Sequence, residues 1–232
     1  MIYVGIVAGG TGSRMGADRP KQFLEIGGRP IILRTLDIFL KIQQADLIYV
    51  AVHHDWLEYT SALAEREYQP EEISKLRFIE GGSDRNGSVL KIIDAIASDN
   101  TIVEDDILLT HDAVRPFVTE DIILRNIYCV KSGYPCTTAI PSTDTILCCT
   151  DGNSITDTPD RSTLWQAQTP QSFRIMSFLD AYSRLNESDR SELTDVCGVF
   201  TKSGSKVKIV KGDPCNIKLT TPFDLKIAVS LI

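Results

Sequence analysis

The sequence predicts an α/β fold: a doubly wound, mostly parallel sheet covered by helices on both faces, with a β-arm projecting from it. Three observations carry this prediction. Short apolar runs alternate with helix-length amphipathic stretches along most of the chain. A glycine-rich loop follows the first apolar run directly, as at the ligand end of open α/β sheets. One segment, about 142–172, breaks the alternation with a hairpin pattern.

Five apolar runs are predicted strands: Ile2–Ala8, Leu47–His53, Leu76–Gly81, Asp106–Asp112 and Pro135–Pro141. Between them lie helices. Pro30 opens PIILRTLDIFLKI, and Asp55 opens DWLEYTSALAERE. In SVLKIIDAIAS, Val89, Ile92, Ile93, Ile96 and Ala97 recur at helical spacing on one face. Thr119 suits the N-cap of TEDIILRNIYCVKS, whose apolar face opens with Ile122 and Ile123. Near the C-terminus Thr220, Thr221 and Pro222 open a last helix. Around Asp151-Gly152 two β-rich runs predict a hairpin, followed by a Pro- and Gln-rich loop, DRSTLWQAQTPQSF. Such an arm has little core of its own, so a second subunit is its natural support. No internal repeat or low-complexity linker divides the chain, and residues 1–232 read as a single domain with the arm inserted.

The chain has 232 residues, 43% of them hydrophobic, which is enough to bury a substantial core. A net charge of -7 and a pI near 5.0 argue against nucleic acid or a membrane surface as partner. Bound phosphates would therefore need a local cluster of cations and backbone amides. No apolar run is long enough to span a bilayer. The start, MIYVGIVAGG, lacks a basic leader region, so a cytoplasmic location is expected. Cys129, Cys136, Cys148, Cys149, Cys197 and Cys215 form no C-x-x-C pair and read as free thiols; of Cys148 and Cys149, at most one faces a core. His53, His54 and His111 are too few and scattered to predict a metal site.

The loop VAGGTGSRMGADRPKQF holds the first functional question. A P-loop needs Lys then Ser or Thr after its last glycine, and Gly12 and Gly16 are followed by Ser13 and Ala17. The dinucleotide pattern G-x-G-x-x-G fits Gly10 and Gly12 but then meets Met15. What remains is a glycine loop carrying its own cations, Arg14 and Lys21. That suits a substrate that arrives and leaves as a polyphosphate; the plainer reading is a surface turn with solvated charges.

Two further loops follow predicted strands. In GGSDRNGS, Gly81 and Gly82 let a planar base approach the backbone, and the Ser88 hydroxyl either reads a base edge or supports the loop. In HDAVRPF, Asp112 is the best magnesium ligand, because a triphosphate brings most of the oxygens itself; alternatively it caps a turn. Arg115 binds phosphate or pairs within its loop. Lys218, in NIKLTTPFDL, would complete a ring of cations with Arg14 and Lys21.

Taken in order, AGGTGSRMG…PKQF, GGSDRNGS, HDAVRPF, Asp144-Thr145, DRSTLWQAQTPQSF, LTDVC and NIKLTTPFDL resemble the cytidylyltransferases that activate sugar-alcohol phosphates, the 2-C-methyl-D-erythritol 4-phosphate and D-ribitol 5-phosphate types. The resemblance spans nearly the whole chain. It implies a Rossmann-like nucleotidyltransferase fold, a homodimer joined by the arm, and a Mg2+-dependent reaction of CTP with a polyol phosphate. It implies that Arg14, Lys21 and Lys218 hold the triphosphate and stabilise charge as pyrophosphate leaves. Ala8, Gly9, Gly10, Thr11, Gly12, Gly81, Gly82 and Ser88 would surround the nucleotide, with Asp112 beside metal and ribose. Thr145, Arg161 and Thr194 would meet the polyol phosphate, some of them from the partner's arm, and Arg115 would join them where it binds phosphate rather than pairing within its loop. Because an acceptor phosphate is already an anion near neutral pH and needs no strong general base, His111 is expected to be structural.

Ser83 lies where the methylerythritol type usually has Asp, so a contact made there is in question. Ala8-Gly9-Gly10, HDAVRPF and LTDVC, where that type usually reads A-A-G, HDAARP and TDEAS, lean toward a ribitol acceptor. Two other readings stand beside these. One is a sugar-1-phosphate nucleotidyltransferase using another NTP, which would lack the DRSTLWQAQTPQSF arm. The other is a non-catalytic nucleotide-binding regulator, which would lose the cations.

Overall fold

The structure, a computed structural model, describes residues 1–10 and 19–232. Seven strands form the main sheet: β1 (Ile2–Ala8), β2 (Leu47–Val52), β3 (Leu76–Glu80), β4 (Ile107–Asp112), β5 (Cys136–Pro141), β6 (Trp165–Arg174) and β7 (Lys208–Lys211). Their order is β3-β2-β1-β4-β6-β5-β7. β1 pairs in parallel with β2 and β4, and β2 with β3. β6 runs antiparallel between β4 and β5, and β7 lies parallel to β5 at the edge. The main helices are α1 (Ile31–Leu40), α2 (Leu57–Glu67), α3 (Arg85–Asp99), α4 (Glu120–Lys131), α5 (Ile175–Ser183), α6 (Val196–Lys202) and α7 (Pro222–Ser230).

The strand alternation sorts the core into two layers. Val4, Ile6, Ile48, Val50 and Leu109 pack on α1, α2 and α4. Tyr3, Tyr49, Ala51, Leu108 and Phe173 pack on α3, α5 and α6. Gly5 lets α3 lie close on the sheet: a Cβ there would come within 3.0 Å of Ile92 Cδ1. A third cluster of Ile26, Ile31, Val114, Leu219 and Ala228 seats α7. Among the described residues, no helix is long and apolar enough to cross a membrane.

The first five predicted runs are strands to within one residue at either end, and Thr119 caps α4 through Ile122 N. Thr221 and Asp224 cap α7 reciprocally, with Pro222 at its first turn. Four details differ from expectation. Ala97 is exposed, outside the buried stripe of α3. That helix also begins earlier, at Arg85, because the Asp84 carboxylate accepts from Gly87 N at 2.8 Å. The edge strand β7 has no counterpart among the predicted runs; KIVK is short and flanked by charge.

The largest difference concerns the arm. DRSTLWQAQTPQSF is not a loop: most of it is β6, in the middle of the sheet, so the arm ends near Leu164. Its polar side chains are tolerated there because they are bonded. Ser172 Oγ donates to Asn126 Oδ1 at 3.1 Å, and Gln171 Nε2 donates to Asp195 Oδ2 at 2.6 Å. The predicted hairpin reduces to one antiparallel bridge, Cys148 with Asp157, around a turn where Gly152 has φ +73°. Cys148 and Cys149 are both exposed, and all six cysteines are free.

Candidate active site

The loops after β1, β3 and β4 converge at the carboxyl end of the sheet on a cavity of about 220 Å³. Hydrogen bonds fix the backbone around it. Gln22, buried in the turn after the glycine loop, donates from Nε2 to Ala8 O at 2.7 Å and to Gly10 O at 3.1 Å. Ser88 Oγ accepts from Gly82 N at 3.0 Å and donates to Asp84 O at 2.9 Å, so in this structure its hydroxyl supports the loop. Gly82 is required by close approach: a Cβ would fall 2.3 Å from the Gly87 carbonyl carbon. Ala8, Gly9, Gly10, Gly82, Lys21 and Lys218 all line the cavity, and Gly81 lines an adjoining recess with Gly9 and Gly10. Arg14, Thr11 and Gly12 lie outside the described residues.

Asp112, at the end of β4, is the electrostatic centre. Its Oδ2 lies 2.9 Å from Lys218 Nζ and 3.4 Å from Arg115 Nε, and its Oδ1 lies 3.4 Å from Arg85 Nε. Burial opposes the charge on this carboxyl, but Arg85, Lys218 and Arg115 outweigh it and hold the group well below the usual carboxylate range. The site therefore contains one buried anion ringed by cations, and it is ionised throughout the neutral range.

Lys218 reaches Asp112 from a segment tied back to the β4 loop through Leu219 N to Val114 O, 2.9 Å. Arg115 is buried and braces three segments: Nη1 donates to Asn216 O at 2.7 Å and Nη2 to Ala167 O at 3.4 Å, besides its contact with Asp112. The neighbouring His111 is fully buried. Its Nε2 faces Arg115 O at 3.1 Å, an acceptor only, so Nε2 carries the proton and Nδ1 accepts from Thr169 Oγ1 at 2.9 Å. Burial lowers its pKa to about 4, which keeps the ring neutral. Both nitrogens are engaged in bracing, in keeping with a structural role.

A second cavity, about 120 Å³, adjoins the first; Arg85, Asp112 and Lys218 line both. Its other walls include Arg115, Gln168, Gln171, Thr194 and Asp195. Thr194 is thus brought to the site. Thr145 and Arg161 are not: both are exposed on the arm, Arg161 Nη1 donates to Thr143 O at 3.0 Å, and neither forms part of either wall within one chain.

Sequence reasoning missed three residues. Arg85 was visible in GGSDRNGS, and an early helix start would have revealed that it points at Asp112. Gln22 and Gln171 carried no signal, because a buried glutamine that braces backbone looks in sequence like a solvated one. The His53, His54 and Asp55 donor atoms lie within 4.8 Å of one another beside the recess, although His54 and Asp55 are exposed and paired at 2.7 Å.

The arrangement offers a polyphosphate-sized cavity, a second smaller one, and a cationic junction between them. The profile of the family described as 2-C-methyl-D-erythritol 4-phosphate cytidylyltransferase (IspD) matches residues 2–232. Ribitol-5-phosphate cytidylyltransferases of two Streptococcus pneumoniae strains, Spain 23F-1 and G54, are each 43% identical, covering 100% of this chain and 99% of theirs. The solved 4-diphosphocytidyl-2C-methyl-D-erythritol synthase of Anaerococcus prevotii superposes with a TM-score of 0.81 at 29% identity, covering 100% of this chain and 95% of that one. The Francisella tularensis 2-C-methyl-D-erythritol 4-phosphate cytidylyltransferase gives 0.82 at 28%, covering 100% and 99%. Fold, site and full-length similarity agree: the chain belongs to the IspD family of cytidylyltransferases and is a nucleotidyltransferase enzyme.

Proposed function

We propose that this enzyme transfers the cytidylyl group of CTP to D-ribitol 5-phosphate, giving CDP-ribitol and pyrophosphate. The observation that carries the reaction is the junction of Arg85, Asp112 and Lys218 between the two cavities. An acceptor phosphate oxygen attacks the α-phosphorus, a new P–O bond forms there, and the bond to the β-phosphate oxygen breaks. The acceptor phosphate is already an anion near neutral pH and needs no general base. The work of the protein is to bring two anions together in line and to offset their repulsion.

Lys21 and Lys218 hold the phosphates, joined by Arg14 from the glycine loop. Ala8, Gly9, Gly10, Thr11, Gly12, Gly81, Gly82 and Ser88 enclose the nucleotide, Ser88 by fixing the turn on which the base rests. Arg115 and Thr194 form the acceptor side. Magnesium fits the donor set, since Asp112 is an ionised carboxylate on the shared wall and a triphosphate supplies the remaining hard oxygen ligands. Held by Asp112, the ion would neutralise charge on the phosphates.

The functional unit in this reading is a homodimer. The arm exposes Ile146, Leu147 and Ile155, and Trp165 is exposed at its return, an apolar surface suited to a second copy. The partner's Arg161 and the partner's Thr145 would then complete the acceptor pocket.

The ribitol acceptor is supported by the names of the full-length relatives and by the three loop differences noted above. The second reading, 2-C-methyl-D-erythritol 4-phosphate, is favoured by the family description and the solved neighbours. Pyrophosphate release with magnesium, CTP and each acceptor in turn separates them, with UTP, ATP and GTP as controls. Ribitol 5-phosphate is expected to exceed the other acceptor by about tenfold or more in kcat/KM. The opposite preference assigns the site to the second reading, and release with another NTP overturns both.

A further inference from the structure

The smaller cavity is lined by an unusual pair of residues. Gln171 is 1% exposed, and its Oε1 has no hydrogen-bond partner among the described residues. Its orientation is fixed, because Nε2 donates to Asp195 Oδ2 at 2.6 Å and to Thr137 Oγ1 at 3.2 Å, and a carboxylate oxygen only accepts. Asp195 is itself held, its Oδ1 accepting from Gly198 N at 2.8 Å at the start of α6. An amide flip is thereby blocked, and the atom left over is an acceptor. On the same cavity, Arg85 uses Nε toward Asp112 at 3.4 Å, while its buried Nη1 and Nη2 also lack partners among the described residues. The two residues that carry these left-over donors and this left-over acceptor thus both line one small cavity.

Buried polar atoms without partners are rare because each carries its full desolvation cost. The group that satisfies both kinds at once must accept from the guanidinium and donate to the amide oxygen. A phosphate oxygen can only accept, and a methyl group does neither. A hydroxyl group does both, whether it belongs to an acceptor or to a water molecule, and the complex described below tells the two apart. We infer that Arg85 and Gln171, with Asp195 as the group that orients Gln171, form a subsite for one hydroxyl of the polyol acceptor. It rests on the proposal that the acceptor is a polyol phosphate. It goes beyond that reading by assigning two residues to acceptor selection and by stating what they select.

The test uses the full-length enzyme, CTP, magnesium, ribitol 5-phosphate and a panel of ribitol 5-phosphates each lacking one hydroxyl. Loss of the hydroxyl that fills the subsite is expected to lower kcat/KM by about tenfold to a hundredfold, because both protein atoms are again left unpaired. The KM for CTP should stay within about threefold, since the loss falls on acceptor selection. In Gln171→Met, similar in length but unable to accept a hydroxyl proton, the penalty for that one deoxy compound should shrink to about threefold or less. Arg85→Lys, which keeps the charge but loses the fork, serves as a second variant should the first fail to fold. A crystal structure of the wild-type enzyme with ribitol 5-phosphate gives a readout free of substitutions. An acceptor hydroxyl oxygen within hydrogen-bond distance of both Gln171 Oε1 and an Arg85 Nη supports the subsite. A direct Arg85 to Gln171 bond in that complex, or a water in place of the acceptor hydroxyl, overturns it, and so does equal turnover of every deoxy compound. No turnover of ribitol 5-phosphate itself, with turnover of the methylerythritol compound, would instead count against the proposed acceptor.

Discussion

Asp112 and Asp151 are both carboxyls held well below the usual range, and they belong to opposite kinds of structure. Asp112 is buried at the end of β4, where Arg85, Lys218 and Arg115 outweigh the cost of burying its charge. Asp151 is fully exposed at the tip of the arm, where the backbone N–H groups of Ser154 and Asn153 donate to its Oδ1 at 2.7 Å and 2.9 Å. The first is coupled to the sheet and, through Arg85, Arg115 and Lys218, to three segments around it. The second satisfies a local turn and little else. Depression of a pKa therefore says nothing about function until the source of the stabilisation is known: long-range cations mark a site, while local amides mark a turn.

The comparison breaks most sharply under substitution of the two aspartates. Asp112→Asn leaves buried guanidinium groups without their anion and is expected to destabilise the fold by about 3 kcal/mol as well as to abolish turnover. Asp151→Asn should leave the thermal midpoint and activity unchanged. Denaturant titration of both variants decides the matter, and equal losses would erase the distinction between site and arm.

Lys21→Ala and Lys218→Ala are expected to lower kcat by about a hundredfold or more, because in the proposed reading both lysines hold the phosphates. The unfolding midpoint should stay near wild type in Lys21→Ala and fall in Lys218→Ala, which takes a cation away from buried Asp112. Activity within a small factor of wild type would remove either lysine from the mechanism.

Acid should find the buried half of the molecule first. His111 takes up a proton in the unfolded chain as pH falls through its ordinary 6.5, but in the native state only near 4. Stability therefore falls as pH drops across that window, by on the order of 3 kcal/mol at most. The depressed carboxyl of Asp112 steepens the fall below its ordinary 3.8, since its contribution is present above that value and is lost on protonation. Urea midpoints measured from pH 7 to 4, for wild type and His111→Gln, check this; a flat wild-type profile between 6.5 and 4.5 contradicts it.

The smallest expected effect sharpens the role of the arm. An equal mixture of Arg161→Ala and Lys21→Ala chains, refolded together, should regain about a quarter of wild-type activity. Half the dimers are then mixed, and one of their two sites has both residues intact. Mixed dimers with no activity would mean that each site is built from one chain.

Much of this was legible before any coordinates. The runs IYVGIVA and LIYVAV are apolar enough to be buried on both faces, so their parallel pairing follows from composition and from the helices between them. Thr119, Thr221 and Pro222 announce helix starts through bonds made within a few residues. Asp112, Lys218 and the glycine turns could be placed at the ligand end because strand order and loop position follow from chain order. All of these depend on local chemistry or on hydrophobic period, and a sequence records both directly.

The rest required residues far apart in the chain to meet. TLWQAQTPQSF reads as a loop because Gln, Thr and Ser are poor core formers. It becomes a central strand only because Asn126, Asp195 and Thr110 supply partners for it from 24 to 61 positions away. Arg85 is one more surface charge until α3 begins four residues before Val89, the first residue of its apolar stripe, and turns the side chain onto Asp112. The sequence by itself determined the wound sheet, the starts of α4 and α7 and the loops that gather at the carboxyl end of the sheet, because local propensity and period suffice for those. Only the tertiary structure decided that β6 enters the sheet, that Asp112 is ringed by three cations, and that Gln171 and Arg85 share a cavity, because each needs hydrogen-bond or charge partners that no local stretch contains.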